Sequence, residues 1–207
     1  MRKKKIWRLP AIEAKQQGIF AEKLGVVRPI AQVLLNRGLS SPEQAAYFLQ
    51  AGIEQLRDPL EIPGMKSGAE RIVRALTNEE KILIYGDYDV DGITATALLT
   101  VFLRNRKGKV SYYIPDRLEE GYGLNPQALQ QAKANGTGLI ITVDCGISAL
   151  QEADFARKIG LDLVITDHHQ PPPELPQAVA VINPKLAPGE HPWSVLAGVG
   201  VAFKLAQ

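Results

Sequence analysis

The feature that most restricts the fold of this sequence is an alternation of short apolar runs and helix-compatible stretches from residue 81 onward. The apolar runs cover residues 81–85, 110–114, 139–143, 161–166 and 179–182. The helical stretches cover residues 93–103, a segment opened by Asn125-Pro126, and residues 148–159 after the capping-box pattern Ser148-x-x-Gln151. Strands of nearly continuous apolar residues that alternate with helices are typical of parallel sheets. The sequence therefore predicts an α/β fold, a parallel sheet covered by helices on both faces.

The part of the chain before this alternation has a different pattern. Residues 41–44 (Ser-Pro-Glu-Gln) have the form of a capping box with proline at the first helical position. The apolar spacing of residues 30, 33 and 34 indicates an earlier short helix. We therefore expect a helical N-terminal lead-in of residues 1–75 and an α/β domain of residues 76–207. Residues 199–205 are apolar and no helix stop signal follows them, so we expect the domain to continue beyond Gln207.

Composition excludes some classes of protein. No apolar run approaches the ~20 residues that span a bilayer, so we expect no membrane partner. The basic residues at the start are followed by Pro10 and not by an apolar stretch, which excludes a secretory signal. Cys145 is the only cysteine, which excludes an internal disulfide and favours a cytoplasmic location.

Acidic residues and histidines directly follow three of the predicted strands. The segments are residues 86–92 (Gly-Asp-Tyr-Asp-Val-Asp-Gly), Asp144 after the third strand, and Asp167-His168-His169 after the fourth. Because the carboxyl ends of parallel strands share one edge of a sheet, these side chains are expected to converge there. Carboxylates gathered in this way repel each other unless a cation neutralises them. Oxygen-rich ligands with an imidazole suit Mg²⁺ or Mn²⁺, so the sequence predicts a divalent metal site.

The same segments resemble the motifs of a known family. Asp89-x-Asp91, Asp144 and the triplet Asp167-His168-His169 are similar, in this order, to the first three motifs of the DHH phosphoesterases. Residues 115–124 and 196–203 resemble segments of the single-strand-specific exonucleases of that family. The resemblance covers residues 81–207 and is weaker before them.

The resemblance implies roles for individual residues. Two Mn²⁺ or Mg²⁺ ions would be held by the set Asp89, Asp91, Asp144 and His168, with Asp144 between the ions and Asp87 at or next to the first one. His169 would face the substrate phosphate or protonate the leaving oxygen. Asp167 would orient an imidazole, with helix capping as the alternative. In the loop after the second strand, Arg117 would bind a phosphate and Tyr122 would stack on a base or sugar, with a surface arginine and a packed tyrosine as the alternatives.

The resemblance also implies an activity. It predicts hydrolysis of single-stranded DNA from the 5′ end by a two-metal mechanism, in replication-linked repair and recombination. Single-stranded DNA would be the substrate, and a single-strand-binding protein and a helicase would be partners. The family's fourth aspartate motif is expected beyond Gln207, so residues 1–207 alone should bind metal weakly and digest DNA poorly. Two alternatives remain open: a DHH phosphodiesterase of oligonucleotides or cyclic dinucleotides (or a pyrophosphatase), and a replication scaffold without catalysis.

Overall fold

The computed structural model describes residues 14–116, 121, 123–189 and 191–207. The chain divides into two compact units, Met1–Arg57 and Asp58–Gln207. The sequence prediction placed a boundary at residue 75, whereas this division lies at Arg57, because the helix Met65–Thr77 packs on the sheet of the second unit. Among the described residues, no helix is both long and apolar enough to cross a membrane.

Between residues 14 and 57, the first unit contains three short α-helices, α1 (Ala14–Leu24), α2 (Arg28–Asn36) and α3 (Pro42–Leu49). Ser41 caps α3, since its side chain accepts a hydrogen bond from Gln44 N at 3.2 Å. The predicted N-terminal cap of this helix is therefore confirmed. Phe20, Ala31, Leu34 and Ala45 form a cluster of buried side chains in this unit.

The second unit alternates strands and helices. It begins with α4 (Met65–Thr77), and its strands are β1 (Lys81–Tyr85), β2 (Lys109–Tyr113), β3 (Thr137–Val143), β4 (Asp162–Thr166) and β5 (Ala180–Ile182). The remaining helices are α5 (Val90–Asn105), α6 (Pro126–Ala134), α7 (Leu150–Lys158) and α8 (Gly198–Ala206). Asn125 caps α6 as predicted, because its Oδ1 accepts a hydrogen bond from Ala128 N at 2.7 Å.

All strand pairs are parallel, and the order across the sheet is β2-β1-β3-β4-β5. The chain adds β2 on one side of β1 and then crosses back to add β3 on the other side. In open parallel sheets, ligands bind at such a switch point, outside the carboxyl ends of the strands. The topology therefore marks the carboxyl ends of β1 and β3 as the position of a site.

Alternate side chains of β1, β3, β4 and β5 enter separate cores on the two faces of the sheet. Ile82 and Ile84 of β1 pack with α4, α5 and α8, whereas Leu83 and Tyr85 pack with α6 and α7. Both faces of β1 are buried, which explains its uninterrupted apolar sequence. The predicted parallel sheet with helices on both faces is confirmed.

The predicted capping box before α7 is wrong. The helix begins at Leu150, its N-cap residue is Ala149, and no side chain caps it. The turn before the helix is held differently, since Ile147 N donates to Asp167 Oδ2 at 2.9 Å and Ala149 N to Gly146 O at 3.0 Å. A long-range contact thus replaces the local cap that the sequence pattern indicated.

Candidate metal centre

The loop after β1 brings the first acidic side chain into the interior. Asp87 is buried, and its Oδ1 accepts a hydrogen bond from Tyr88 N at 2.7 Å. The first turn of α5 lies directly against this residue, because a Cβ at Gly92 would lie 2.5 Å from Asp87 O. Only glycine allows this approach of the two backbone segments.

Asp89 is the N-cap residue of α5. Its Oδ1 accepts hydrogen bonds from Asp91 N at 2.8 Å and from Gly92 N at 3.0 Å. The side chain is exposed, in contrast to that of Asp87. Aspartate at this position stabilises the start of the helix and places a carboxylate at the carboxyl edge of β1.

Asp91, in the first turn of α5, contacts a distant helix. Its Oδ2 accepts a hydrogen bond from Gly198 N at 2.6 Å, and its Oδ1 accepts one from Val199 N at 2.7 Å. Both amides belong to the first turn of α8. The same Oδ2 lies 3.6 Å from His168 Nε2.

Asp144 directly follows β3 and has a backbone conformation that side chains rarely adopt. Its φ of 62° lies in the left-handed region, and its N donates to Thr166 O at 3.0 Å. The residue is 1% exposed. Strained residues of this kind are tolerated where surrounding structure holds them, and they cluster at functional sites.

Asp167, after β4, is fully buried and organises the turn that follows it. Its Oδ1 accepts hydrogen bonds from His168 N at 2.7 Å and His169 N at 3.0 Å, and lies 2.7 Å from His169 Nδ1. Its Oδ2 accepts the hydrogen bond from Ile147 N. One carboxylate therefore fixes both histidines and the turn after β3.

The two imidazoles lie side by side with different exposure. Their ring centroids are 4.6 Å apart. His168 Nε2 lies 3.1 Å from Asp144 Oδ1, and its side chain is 27% exposed. His169 is 47% exposed and lines a cavity of about 460 Å³ with Asp167 and the Gly146–Ala149 turn. His168 thus faces the carboxylates, and His169 borders open space beside them.

Two overlapping sets of potential ligand atoms result. One set comes from Asp87, Asp89 and Asp144, and the other from Asp144, His168 and His169. Within each set, one ligand atom per residue lies within 4.8 Å of the others. Asp144 belongs to both, which places it between the two sets.

The carboxylates disfavour each other's ionisation. Burial raises the pKa of Asp144 to about 8, and the negative charges of Asp91 and Asp89 add to the shift. Burial also raises the pKa of Asp87, the hydrogen bond from Tyr88 N opposes that shift, and Asp89 adds to it. A cation among these groups would remove the repulsion and favour the ionised forms.

The donor set fits a hard divalent cation. Mn²⁺ accepts both carboxylate oxygens and imidazole nitrogens as ligands. Mg²⁺ is bound mainly by oxygens, which the carboxylates supply. A cysteine thiolate is not available as a ligand, because Cys145 is buried in the core and its pKa is raised well above the usual value by burial. The arrangement therefore suits Mn²⁺ or Mg²⁺ better than a thiolate-bound metal.

The structure brings together the predicted site residues that it describes. These are Asp87, Asp89, Asp91, Asp144, Asp167, His168 and His169. Arg117 and Tyr122, predicted to contact the substrate, lie outside the described residues.

Sequence reasoning missed two contacts at this edge. Asn183, fully buried after β5, donates from Nδ2 to His169 O at 2.9 Å. Gly198 donates its N–H to Asp91. The rule that polar residues after strands gather at one edge would have identified Asn183, whereas no local pattern indicates the contact of Gly198.

Comparison with known proteins assigns this chain to a family. Residues 81–207 match the DHH family, N-terminal domain, and the chain belongs to that family. It is 45% identical over 200 residues to the single-stranded-DNA-specific exonuclease RecJ of Bacillus subtilis, and 37% identical over 177 residues to RecJ of Escherichia coli. These alignments cover 97% and 85% of the chain but only 25% and 30% of the relatives. The chain thus spans less than a third of the length of these relatives.

Solved structures show the same architecture. RecJ from Thermus thermophilus in complex with Mn²⁺ matches the whole chain, covering 100% of it and 28% of the larger protein, with a TM-score of 0.75 and 27% identity. A second structure, exonuclease RecJ bound to manganese, matches with a TM-score of 0.65 and 35% identity. The match covers 70% of this chain and 37% of the chain in that structure. The fold class predicted from the sequence is therefore found in proteins of this family.

Proposed function

We propose that this chain carries the metal-binding part of an exonuclease that hydrolyses single-stranded DNA from the 5′ end. The single observation that carries the proposal is the convergence on Asp144, buried between Asp87 and Asp89 on one side and His168 on the other. The similarity to single-stranded-DNA-specific exonucleases supports the choice of substrate. Retention of every acidic motif residue that the chain spans favours a catalytic role over a scaffold.

The proposed cofactors are two Mn²⁺ or Mg²⁺ ions. Asp89, Asp91 and Asp144 would hold the first, with Asp87 next to it, and His168 would help Asp144 to hold the second. Manganese in the related structures supports this choice of metal. When bound, such ions lower the pKa of an attacking water and stabilise the charge that develops on the phosphate.

His169 is the proposed catalytic side chain of this chain. Asp167 Oδ1 lies 2.7 Å from its Nδ1, which fixes the orientation of the ring, with Nε2 on the side away from Asp167. In its protonated form, an imidazole oriented in this way could donate to a phosphate oxygen or to the leaving oxygen. The adjoining cavity of about 460 Å³ gives room for part of a nucleotide beside this ring.

Binding of the DNA strand is assigned to residues beyond the metal centre. Arg117 would bind a backbone phosphate, and Tyr122 would stack on a base or sugar. A single-strand-binding protein and a helicase are the proposed protein partners, in line with the role that the family resemblance implies in repair and recombination.

Mn²⁺ calorimetry of the chain tests the metal centre. The wild-type chain should bind Mn²⁺, and Asp144→Ala should abolish most of the heat. Asp154→Ala is the matched control, because Asp154 lies on the exposed side of α7 and pairs only with Arg157 among the contacts described for it. Equal heats for wild type and Asp144→Ala would contradict the proposal and favour the scaffold.

A cleavage assay tests the substrate. With Mn²⁺, long single strands should be cut from the 5′ end in preference to dinucleotides, cyclic dinucleotides and pyrophosphate. Because the chain spans only 25% of the B. subtilis relative, we expect slow and poorly processive digestion by residues 1–207 alone. Preference for dinucleotides or pyrophosphate would instead support the alternative phosphodiesterase or pyrophosphatase.

A further inference from the structure

The first turn of α8 lies on the candidate metal centre. Gly198 N and Val199 N donate to the two oxygens of Asp91 at 2.6 and 2.7 Å. The N-cap residue of α8, Ala197, makes no side-chain capping bond. Asp91 therefore takes the place of a capping residue for α8, although it belongs to α5. The two amides fix the orientation of the Asp91 carboxylate.

Gly198 also contacts the buried carboxylate at the centre of the site. A Cβ at position 198 would lie 2.5 Å from Asp144 Oδ1 and 2.6 Å from Asp144 Cβ. Asp144 has little freedom to move away, because it is 1% exposed and its backbone N is bonded to Thr166 O. A side chain at position 198 would therefore displace either the carboxylate or the helix.

A second glycine in the same turn has a different environment. The three atoms nearest to a Cβ at Gly200 all belong to the side chain of Leu196, with Cδ2 the nearest at 3.2 Å. The end of a leucine side chain can shift by a few tenths of an ångström. Alanine also has a higher helix propensity than glycine. Gly200→Ala should therefore leave α8 as stable as before or more stable.

We infer that Gly198 is a positioning residue of the metal centre. Its N–H orients the Asp91 carboxylate, and its lack of a side chain keeps Asp144 in contact with His168. The inference rests on the proposed function, because it concerns metal binding by these carboxylates. It adds that the amino end of α8 at Gly198 and Val199, more than a hundred positions along the chain from Asp91, is part of the centre.

Mn²⁺ calorimetry of the 207-residue chain tests this role. Gly198→Ala should weaken Mn²⁺ binding by about ten-fold or more, the loss typical of residues that orient metal ligands. Gly200→Ala should bind Mn²⁺ like the wild type. In a double-mutant cycle, Gly198→Ala should cost less affinity in the Asp91→Asn background, because the contact with Asp91 is already weakened there. Unchanged affinity of Gly198→Ala, or an equal loss in Gly200→Ala, would overturn the inference.

A measurement on the wild-type chain covers the case in which Gly198→Ala does not fold. Addition of Mg²⁺ should shift the amide resonances of Gly198 and Val199, because both amides are bonded to a proposed ligand. The amide of Gly136, before β3 at the opposite edge of the sheet, should not shift. If Mg²⁺ binds but the amide resonances of Gly198 and Val199 do not shift, the inference is refuted and metal binding itself is not. A wild-type chain that binds neither cation would instead refute the proposed function.

Discussion

His168 Nε2 lies 3.1 Å from Asp144 Oδ1. The two residues follow neighbouring parallel strands, β4 and β3, whose register pairs Thr166 with Val143 at their carboxyl ends. The contact joins a fully buried carboxylate to a partly exposed imidazole. It therefore connects the interior of the acidic site with the surface on which a substrate would bind.

The stability of the metal-free chain should depend on the ionisation of Asp144. Its carboxyl titrates near the ordinary value of 3.8 in the unfolded chain and at about 8 in the folded chain. Between these values the folded state binds more protons than the unfolded state, so this residue lowers stability as the pH rises from 3.8 to about 8. Asp144→Asn removes that ionisation. With a chelator present, the variant should therefore melt above the wild type at about pH 8 and close to it at about pH 4.

Addition of Mn²⁺ provides the control for this prediction. At about pH 8 the cation should raise the melting temperature of the wild type, because a ligand that binds only the folded state stabilises it. The asparagine variant should respond little. Parallel melting curves of the two proteins across the pH range would argue against a raised pKa of Asp144.

Asp167→Asn should destabilise the turn that holds both histidines. The variant has one oxygen in place of two, so its NH₂ group must face an N–H donor at Ile147 or at the histidines. Such a buried mismatch costs about 1–3 kcal/mol, which urea unfolding would measure. Asp154→Asn, which alters an exposed ion pair, should change stability by less than about 1 kcal/mol. Equal stability of the two variants would contradict this account of Asp167.

Asn183→Ala should disturb His169 without altering the carboxylates. The substitution removes the donor to His169 O and the acceptor for Lys185 N. The imidazole resonances of His169 should shift in NMR spectra, whereas those of His191 should not. Asn135→Ala, at the opposite edge of the sheet, is the matched control and should leave both unchanged. If His169 keeps its wild-type resonances in Asn183→Ala, Asn183 does not position it.

Arg71→Met should lower the stability of the second unit without weakening metal binding. Arg71 is buried, with its Nη2 2.6 Å from Glu80 Oε2 and its Nε 2.6 Å from Asp162 Oδ2. Glu80 directly precedes β1, and Asp162 is the first residue of β4. Its removal leaves two carboxylates without their shared cation, at a cost of roughly 2–4 kcal/mol, since Asp162 is 46% exposed and partly hydrated. Urea unfolding and Mn²⁺ calorimetry would separate the two effects. The prediction would be wrong if Mn²⁺ affinity fell by more than the decrease in the folded fraction explains.

Much of the site followed from a simple rule about strand ends. Asp144 and Asp167 each follow an apolar run directly, and a parallel sheet brings such positions to one edge. The same rule applies to Asn183 after β5, a short strand that the sequence marks weakly. The rule names which residues meet at the edge, but it does not assign their partners.

Apolar periodicity and local capping depend on near neighbours in the chain, so the amino-acid sequence alone predicts most of the elements and the edge at which the acidic residues collect. The contact partners arise from tertiary packing: α8 contacts Asp91, Asp167 holds His169, and the turn before α7 is fixed by Asp167 in place of its own Ser148. These contacts join segments distant in sequence, and they depend on how helices pack on the two faces of the sheet. Local propensity carries no information about such packing, which is why the pattern at Ser148 indicated the wrong cap.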